Sequence, residues 1–148
     1  DDPEGEQHQW LLTQLDNARA ASQTIIVAFH RPYFTFSRSR PSFTTRDIMH
    51  PIFVQAGVRV VFTGHNHCYE RFEVDGVHYV MDGGGGAGKY DPNHSRMEVL
   101  AASPGDEVLR KNFSPDHGVS VIDFGADGSL SLTRVNLSGD VFEQVTLS

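Results

Sequence analysis

Two short runs do most to limit what this chain can fold into. Thr24–Phe29 (Thr-Ile-Ile-Val-Ala-Phe) and Val58–Thr63 (Val-Arg-Val-Val-Phe-Thr) are rich in β-branched residues. Such runs suit strands buried on both faces, as in a helix-covered α/β sheet. A helical pattern precedes each. Over residues 6–21, Trp10, Leu11, Leu15 and Ala18 recur at helical spacing with polar residues between them. Thr44 or Thr45 caps a second helix that runs to about Ala56 and stops at Gly57. Pro51 lies inside that pattern, which predicts a kink or two short pieces.

The remainder reads as loops and antiparallel strands. His30-Arg31-Pro32 ends the first run, and residues 33–43 read as a loop. Phe72-Glu73-Val74 and Val77–Met81 flank Asp75-Gly76, a strong hairpin signal. Four glycines follow at Gly83–Gly86. Residues 88–117 read mostly as loop, with a short helix near 95–102. The tail alternates as an antiparallel meander: Val119–Phe124, Leu130–Leu137 and Val141–Leu147, with turns at Ala126-Asp127-Gly128 and Ser138-Gly139-Asp140. With 148 residues, 39% of them hydrophobic, the chain is the size of one domain with a real core, and no linker divides it. A formal charge of −7 argues against nucleic acid or anionic lipid as the main partner. No apolar run approaches the roughly 18 residues of a bilayer span. The opening Asp1-Asp2-Pro3-Glu4 does not read as a signal peptide. Cys68 is the single cysteine, so no internal disulfide forms.

Chemistry concentrates where the two runs end. His65 and His67 follow the second run directly, two residues apart, so both side chains can point to one side. Imidazole is a common ligand for zinc and iron. Gly64 before them suits a tight turn. His30 ends the first run. Neighbouring strand ends of a parallel sheet share one edge, where ligands usually bind. The bland alternatives are two solvated imidazoles and one satisfied strand-end histidine. His8 and His50 lie on helical patterns and read as exposed; His78 belongs to the hairpin, and His94 and His117 to the long loop. The glycine run does not fit a dinucleotide or phosphate-loop fingerprint and suits a close backbone approach.

Gly64-His65-Asn66-His67-Cys68-Tyr69-Glu70-Arg71 closely resembles the Gly-His-x-His-x-Tyr-Glu-Arg signature of purple acid phosphatases, within the calcineurin-like metallophosphoesterases. Gln9-Trp10-Leu11, Val27–Tyr33 and the glycine-rich stretch after Val80-Met81 are similar to that family in the same order. The resemblance implies an α/β (α+β) fold: the C-terminal half of a sandwich of two mixed sheets with flanking helices, ending in the meander. It implies hydrolysis of phosphate monoesters by the full-length protein. His30 and His65 would bind a divalent metal and His67 a ferric iron, the partner ion being Zn, Mn or Fe. Tyr69, Glu70 and Arg71 would support the histidine loop. Family habit points to export.

Two departures from the family pattern bear on this. The earlier segments that carry its Asp, Asn and Tyr ligands are absent, so residues 1–148 read as the C-terminal part of one metallophosphoesterase domain. Alone, the chain would hold metal only partly and would need the missing N-terminal half or another chain to complete its sheet. It would then be a catalytically incomplete fragment or a non-catalytic interaction module. The strands at 24–29 and 58–63 should both have neighbours that the chain lacks. The second departure is Ser37-Arg38-Ser39-Arg40, which stands where plant enzymes place extra substrate-binding histidines. Arg38 and Arg40, with Arg31, either clamp phosphate or belong to a solvated loop.

Overall fold

A computed structural model describes residues 5–37, 43–89 and 110–147. Three layers stack: two helices, a five-stranded sheet, and a three-stranded sheet. Helix α1 spans Glu6–Ala20, with Glu6 in its first turn and Arg19 in its last, both matched to the helix dipole. Helix α2 spans Phe43–Ala56 and buries Met49 and Phe53, four residues apart on one face. It is one continuous helix and not two pieces, although Pro51 has no N–H to give the preceding turn. Gly57, at φ +73°, ends it in the left-handed conformation expected of that glycine.

Strands β1 (Ile25–Ala28), β2 (Val58–Thr63), β3 (Tyr69–Val74), β4 (Val77–Asp82) and β5 (Arg110–Ser114) form the larger sheet in the order β1-β2-β4-β3-β5. β1, β2 and β4 run parallel; β3 is antiparallel to β4 and to β5. Asp75 and Gly76, both at positive φ, make the β3–β4 turn. β6 (Gly118–Phe124), β7 (Leu130–Asn136) and β8 (Val141–Thr146) form the antiparallel meander. Apolar side chains on one face of the larger sheet, such as Phe72 and Tyr79, pack with Leu15, Phe34 and Phe53 towards the helices. On the other face, Val60, Tyr69 and Val80 pack against Leu130, Leu132 and Leu147 of the smaller sheet and its flank.

The structure departs from the sequence expectations at four places. β1 is not buried on both faces: it is the edge strand, and Ile25 alone of its residues is fully buried. β2 lies between β1 and β4, so of these two strands β1 alone lacks a neighbour on one side among the described residues. Residues 110–114, read as loop, form β5 because β3 offers them a free ladder. Trp10 is 60% exposed and outside the core, whereas Leu11, Leu15 and Ala18 face inward as expected. The short helix proposed near 95–102 falls outside the described residues.

Candidate metal centre

The three parallel strands end at one edge. β1 leads into His30, β2 into Gly64–His67, and β4 into the glycine run after Asp82. The backbone already joins the first two, since the Gly64 N–H donates to the His30 carbonyl at 3.1 Å. Their side chains meet as well. His30 Nε2 and His65 Nδ1 lie 3.0 Å apart, with the rings perpendicular. As they stand the two nitrogens share one hydrogen bond; with both rings neutral and that proton displaced, His30 and His65 could hold one ion between them. Burial pulls the His65 pKa down, and the nearby His30, Arg31 and His67 add to the effect. That favours the neutral ring a metal requires.

His67 is oriented differently. Its Nδ1 lies 2.8 Å from the carbonyl oxygen of Gly88. A carbonyl only accepts, so Nδ1 carries the proton and, in the neutral ring, Nε2 carries the lone pair. Ligating histidines commonly have one nitrogen tied to a carbonyl in this way. Among the described residues, no group of three or more His, Cys, Asp or Glu side chains converges on one point. The described donors therefore fit a pair of adjacent imidazole ligands and a third imidazole beside them.

The tight turn falls one residue later than the sequence suggests. His65, at φ +72°, takes the left-handed conformation, and Gly64 does not. A β-carbon-bearing residue held there is strained by about 1–3 kcal/mol, a strain that clusters at functional sites. The glycine that permits the close approach is Gly83: a Cβ on it would lie 2.0 Å from the Asn66 carbonyl oxygen. Its N–H donates to the Cys68 carbonyl at 3.1 Å.

Residues beside the histidines anchor the loop in two directions. Asn66 is fully buried, and its Nδ2 donates to Thr35 Oγ1 at 2.9 Å. Thr35 Oγ1 donates in turn to Glu70 Oε2 at 2.5 Å, and the Phe36 N–H donates to Glu70 Oε1 at 3.1 Å. Ser37 Oγ and Cys68 Sγ are 2.9 Å apart. The loop after His30 is thereby tied to the loop after β2. On the opposite face, the Tyr69 hydroxyl donates to Glu143 Oε2 at 2.5 Å, and Arg71 donates to Glu143 Oε1 from Nε and Nη2 at 2.9 and 2.6 Å. Burial alone would raise the Glu143 pKa; hydrogen bonds from Arg71 and Tyr69 reverse this and hold it below its usual value. Burial, reinforced by Glu143, drives the Tyr69 phenol well above its usual range. Arg134, 2% exposed, pairs with Asp82 at 3.2 Å and stacks over the Tyr69 ring.

Of the three arginines singled out, Arg31 is exposed beside His30, while Arg38 and Arg40 lie outside the described residues. His94 lies outside them too. His50 is not an exposed helix residue: it is half-buried, with Nδ1 2.7 Å from the Tyr79 hydroxyl and Nε2 3.0 Å from Asp75. His78 is buried, and among the described residues neither ring nitrogen has a hydrogen-bond partner. His117, placed in the long loop by sequence, has Nε2 2.8 Å from the Ala87 carbonyl, at the same glycine loop that holds His67. Sequence reasoning passed over Thr35, Asn66 and Glu143; Gly83 belongs to the run that it read as a close backbone approach. Only the glycine run gave any local signal.

Comparison with known proteins agrees with this architecture. The solved structure of GAP50, the anchor in the inner membrane complex of Plasmodium, superposes with a TM-score of 0.72 at 21% identity, over 95% of this chain and 42% of that one. The purple acid phosphatase PPD1 from yellow lupin seeds superposes with a TM-score of 0.68 at 18% identity, over 98% of this chain and 28% of that one. The fold is thus one that a purple acid phosphatase contains. In sequence, the chain is 33% identical over 75 residues to purple acid phosphatase 22 of Arabidopsis thaliana, covering 49% of this chain and 17% of that protein. It is 31% identical over 111 residues to the probable purple acid phosphatase 20 of the same plant, covering 62% and 26%. No protein-family model matches the chain. The chain is similar in sequence and in fold to the purple acid phosphatases, and it spans about a quarter or less of the length of these curated relatives.

Proposed function

We propose that this chain supplies the imidazole side of a two-metal centre that hydrolyses phosphate monoesters in the full-length protein. The observation that carries the reading is the meeting of His30 and His65, 3.0 Å apart, at the edge that also presents His67. His30 and His65 would hold the divalent ion, Zn, Mn or Fe, and His67 the ferric ion. The ion pair would supply Lewis-acid charge for phosphoryl transfer. The protein's own part is to hold the three imidazoles at that edge and aim them. Asn66, Tyr69, Glu70 and Arg71 do this through the contacts described above. Arg31, exposed beside His30, is placed to bind a phosphate oxygen.

The carboxylate ligands would come from the N-terminal half of the domain, and residues 1–148 would be its C-terminal part. An open trough lined by Trp10, Leu11, Ile26, Val27 and Met49 runs along α1 and the unpaired side of β1. That is where the missing half would seat. An extracytoplasmic location goes with this reading; no helix among the described residues is long and apolar enough to cross a membrane.

The test is hydrolysis of a generic aryl phosphate by the full-length protein loaded with iron and zinc, with His65→Ala and His67→Ala variants. The variants are expected to lose at least about a hundredfold in activity, the scale on which even groups that merely orient ligands are felt. Undiminished turnover in the double variant would sink the proposal. A second reading, an incomplete or non-catalytic module, is favoured by the absence of a convergent three-donor group among the described residues. Metal analysis of the isolated chain separates the two. Binding lost in His65→Ala supports the centre, and metal content that the variant leaves unchanged supports the module.

A further inference from the structure

We propose that His117 is a positioning residue for His67, acting through the Ala87–Gly88 segment. His67 and His117 grip consecutive carbonyls. His67 Nδ1 donates to Gly88 and His117 Nε2 donates to Ala87, both at 2.8 Å. Among the described residues, a Cβ added at Gly85, Gly86 or Gly88 would meet no atom within 4 Å. The Ala87 and Gly88 carbonyls are both held by imidazole hydrogen bonds, which tie the segment to His117 and His67.

The base of His117 is rigid. The Gly118 N–H donates to the Gly84 carbonyl at 3.2 Å, and Arg134 Nη2 donates to the Asp116 carbonyl at 3.3 Å. A Cβ at Gly118 would lie 2.2 Å from the Val135 carbonyl oxygen, so that backbone is pressed onto β7. A continuous path leads from the buried Arg134, through residues 116–118, to the His117 ring, the Ala87 carbonyl and the Gly88 carbonyl. The Lys89–Asp116 ion pair is exposed on both partners and adds little.

The consequence concerns a tautomer. A neutral histidine side chain in water prefers its proton on Nε2. The Gly88 carbonyl reverses that preference in His67 and leaves the lone pair on Nε2. Losing the His117 bond frees the carbonyl from its fixed position and lets the ring relax. Under the metal-centre reading above, on which only this last step rests, His67 then offers the wrong nitrogen for part of the time.

Long-range proton–nitrogen correlation spectra of the metal-free chain, at about pH 8 where imidazoles are neutral, read the tautomer directly. In the wild type His67 is expected to be predominantly Nδ1–H. His117→Leu and His117→Asn, neither of which can donate to Ala87, are expected to shift it to predominantly Nε2–H. His117→Gln, whose amide nitrogen can take the place of Nε2, is expected to restore the wild-type tautomer. Backbone spectra show which variants keep the fold; a loss of fold that His117→Gln does not repair overturns the proposal. So does an Nε2–H ring in the wild type, or a His67 tautomer that neither the Leu nor the Asn variant changes. The readout needs neither metal nor turnover, so its failure leaves the phosphatase reading standing, and the converse also holds.

Discussion

The two faces of β3 hold the same loop by different chemistry. Towards the helices, Glu70 accepts a hydroxyl and a backbone N–H, from Thr35 and Phe36, next to an aromatic core. Towards the small sheet, Tyr69 and Arg71 converge on Glu143, and a guanidinium is buried against the carboxylate. The helix side joins two strand ends that are close in space, so it sets the geometry of the histidines. The sheet side reaches 72 residues along the chain from Arg71 to β8, so it docks one layer on another. A buried hydrogen-bonded charge pair loses about 3–5 kcal/mol when one partner is removed, whereas hydrogen bonds to a charged group contribute about 1.5–3 kcal/mol. The layer contact should therefore dominate stability and the helix-side contact should dominate the site.

Five measurements test that contrast. Glu143→Ala should cost about 4 kcal/mol in denaturant unfolding; a loss below about 1 kcal/mol would remove the distinction between the faces. Because the Glu143 pKa is held low, its contribution is full above the ordinary glutamate value of about 4.3 and is lost as pH falls through the lower folded value. Glu143→Gln should accordingly flatten the acid limb of the stability curve. Gly83→Ala forces a methyl onto the Asn66 carbonyl and should cost about 3 kcal/mol, with a shift in the His65 and His67 resonances that Glu143→Ala does not reproduce.

Glu70→Gln should cost about 2 kcal/mol while moving those same resonances, since its amide keeps only one acceptor oxygen and cannot hold both Thr35 and Phe36. Unmoved histidines would mean that the helix-side contact does not set the site. The smallest effect concerns His78. Burial depresses its pKa, the nearby Glu73 opposing this, so the folded state resists protonation while the unfolded chain accepts it. Stability should therefore fall as pH drops below about 6.5, by at most about 1.4 kcal/mol per pH unit. His78→Leu should remove that slope, as followed by thermal melts.

Much of this was legible because it is local. Strand ends marked by His30 and by Gly64–His67, the Asp75-Gly76 hairpin and the three-stranded meander depend on short-range pattern and turn chemistry, and each stands where the pattern puts it. What escaped depends on distance along the chain. Nothing near Glu143 marks it as the partner of Arg71. The glycine run signalled a close backbone approach, but not that Gly83 makes it or that Asn66 is what lies against it. β5, with the polar sequence Arg-Lys-Asn-Phe-Ser, is a strand because β3 has a side to fill. Helical spacing placed Trp10 on the buried stripe, but the stripe is narrower than the spacing allows, and the indole projects beside the trough. His50 read as exposed because its partners, Tyr79 and Asp75, sit on a different element.

The unpaired side of β1 works as a ruler. Adjacent strands lie about 4.8 Å apart, and a parallel neighbour must match the pleat. A parallel strand of matching length added beyond β1 would end one such step to the side of His30, at the edge where the histidines already meet. A side chain carried at its tip is then set down a single lattice spacing from the imidazole pair. The backbone spacing alone sets how far from His30 a side chain on such a strand would stand.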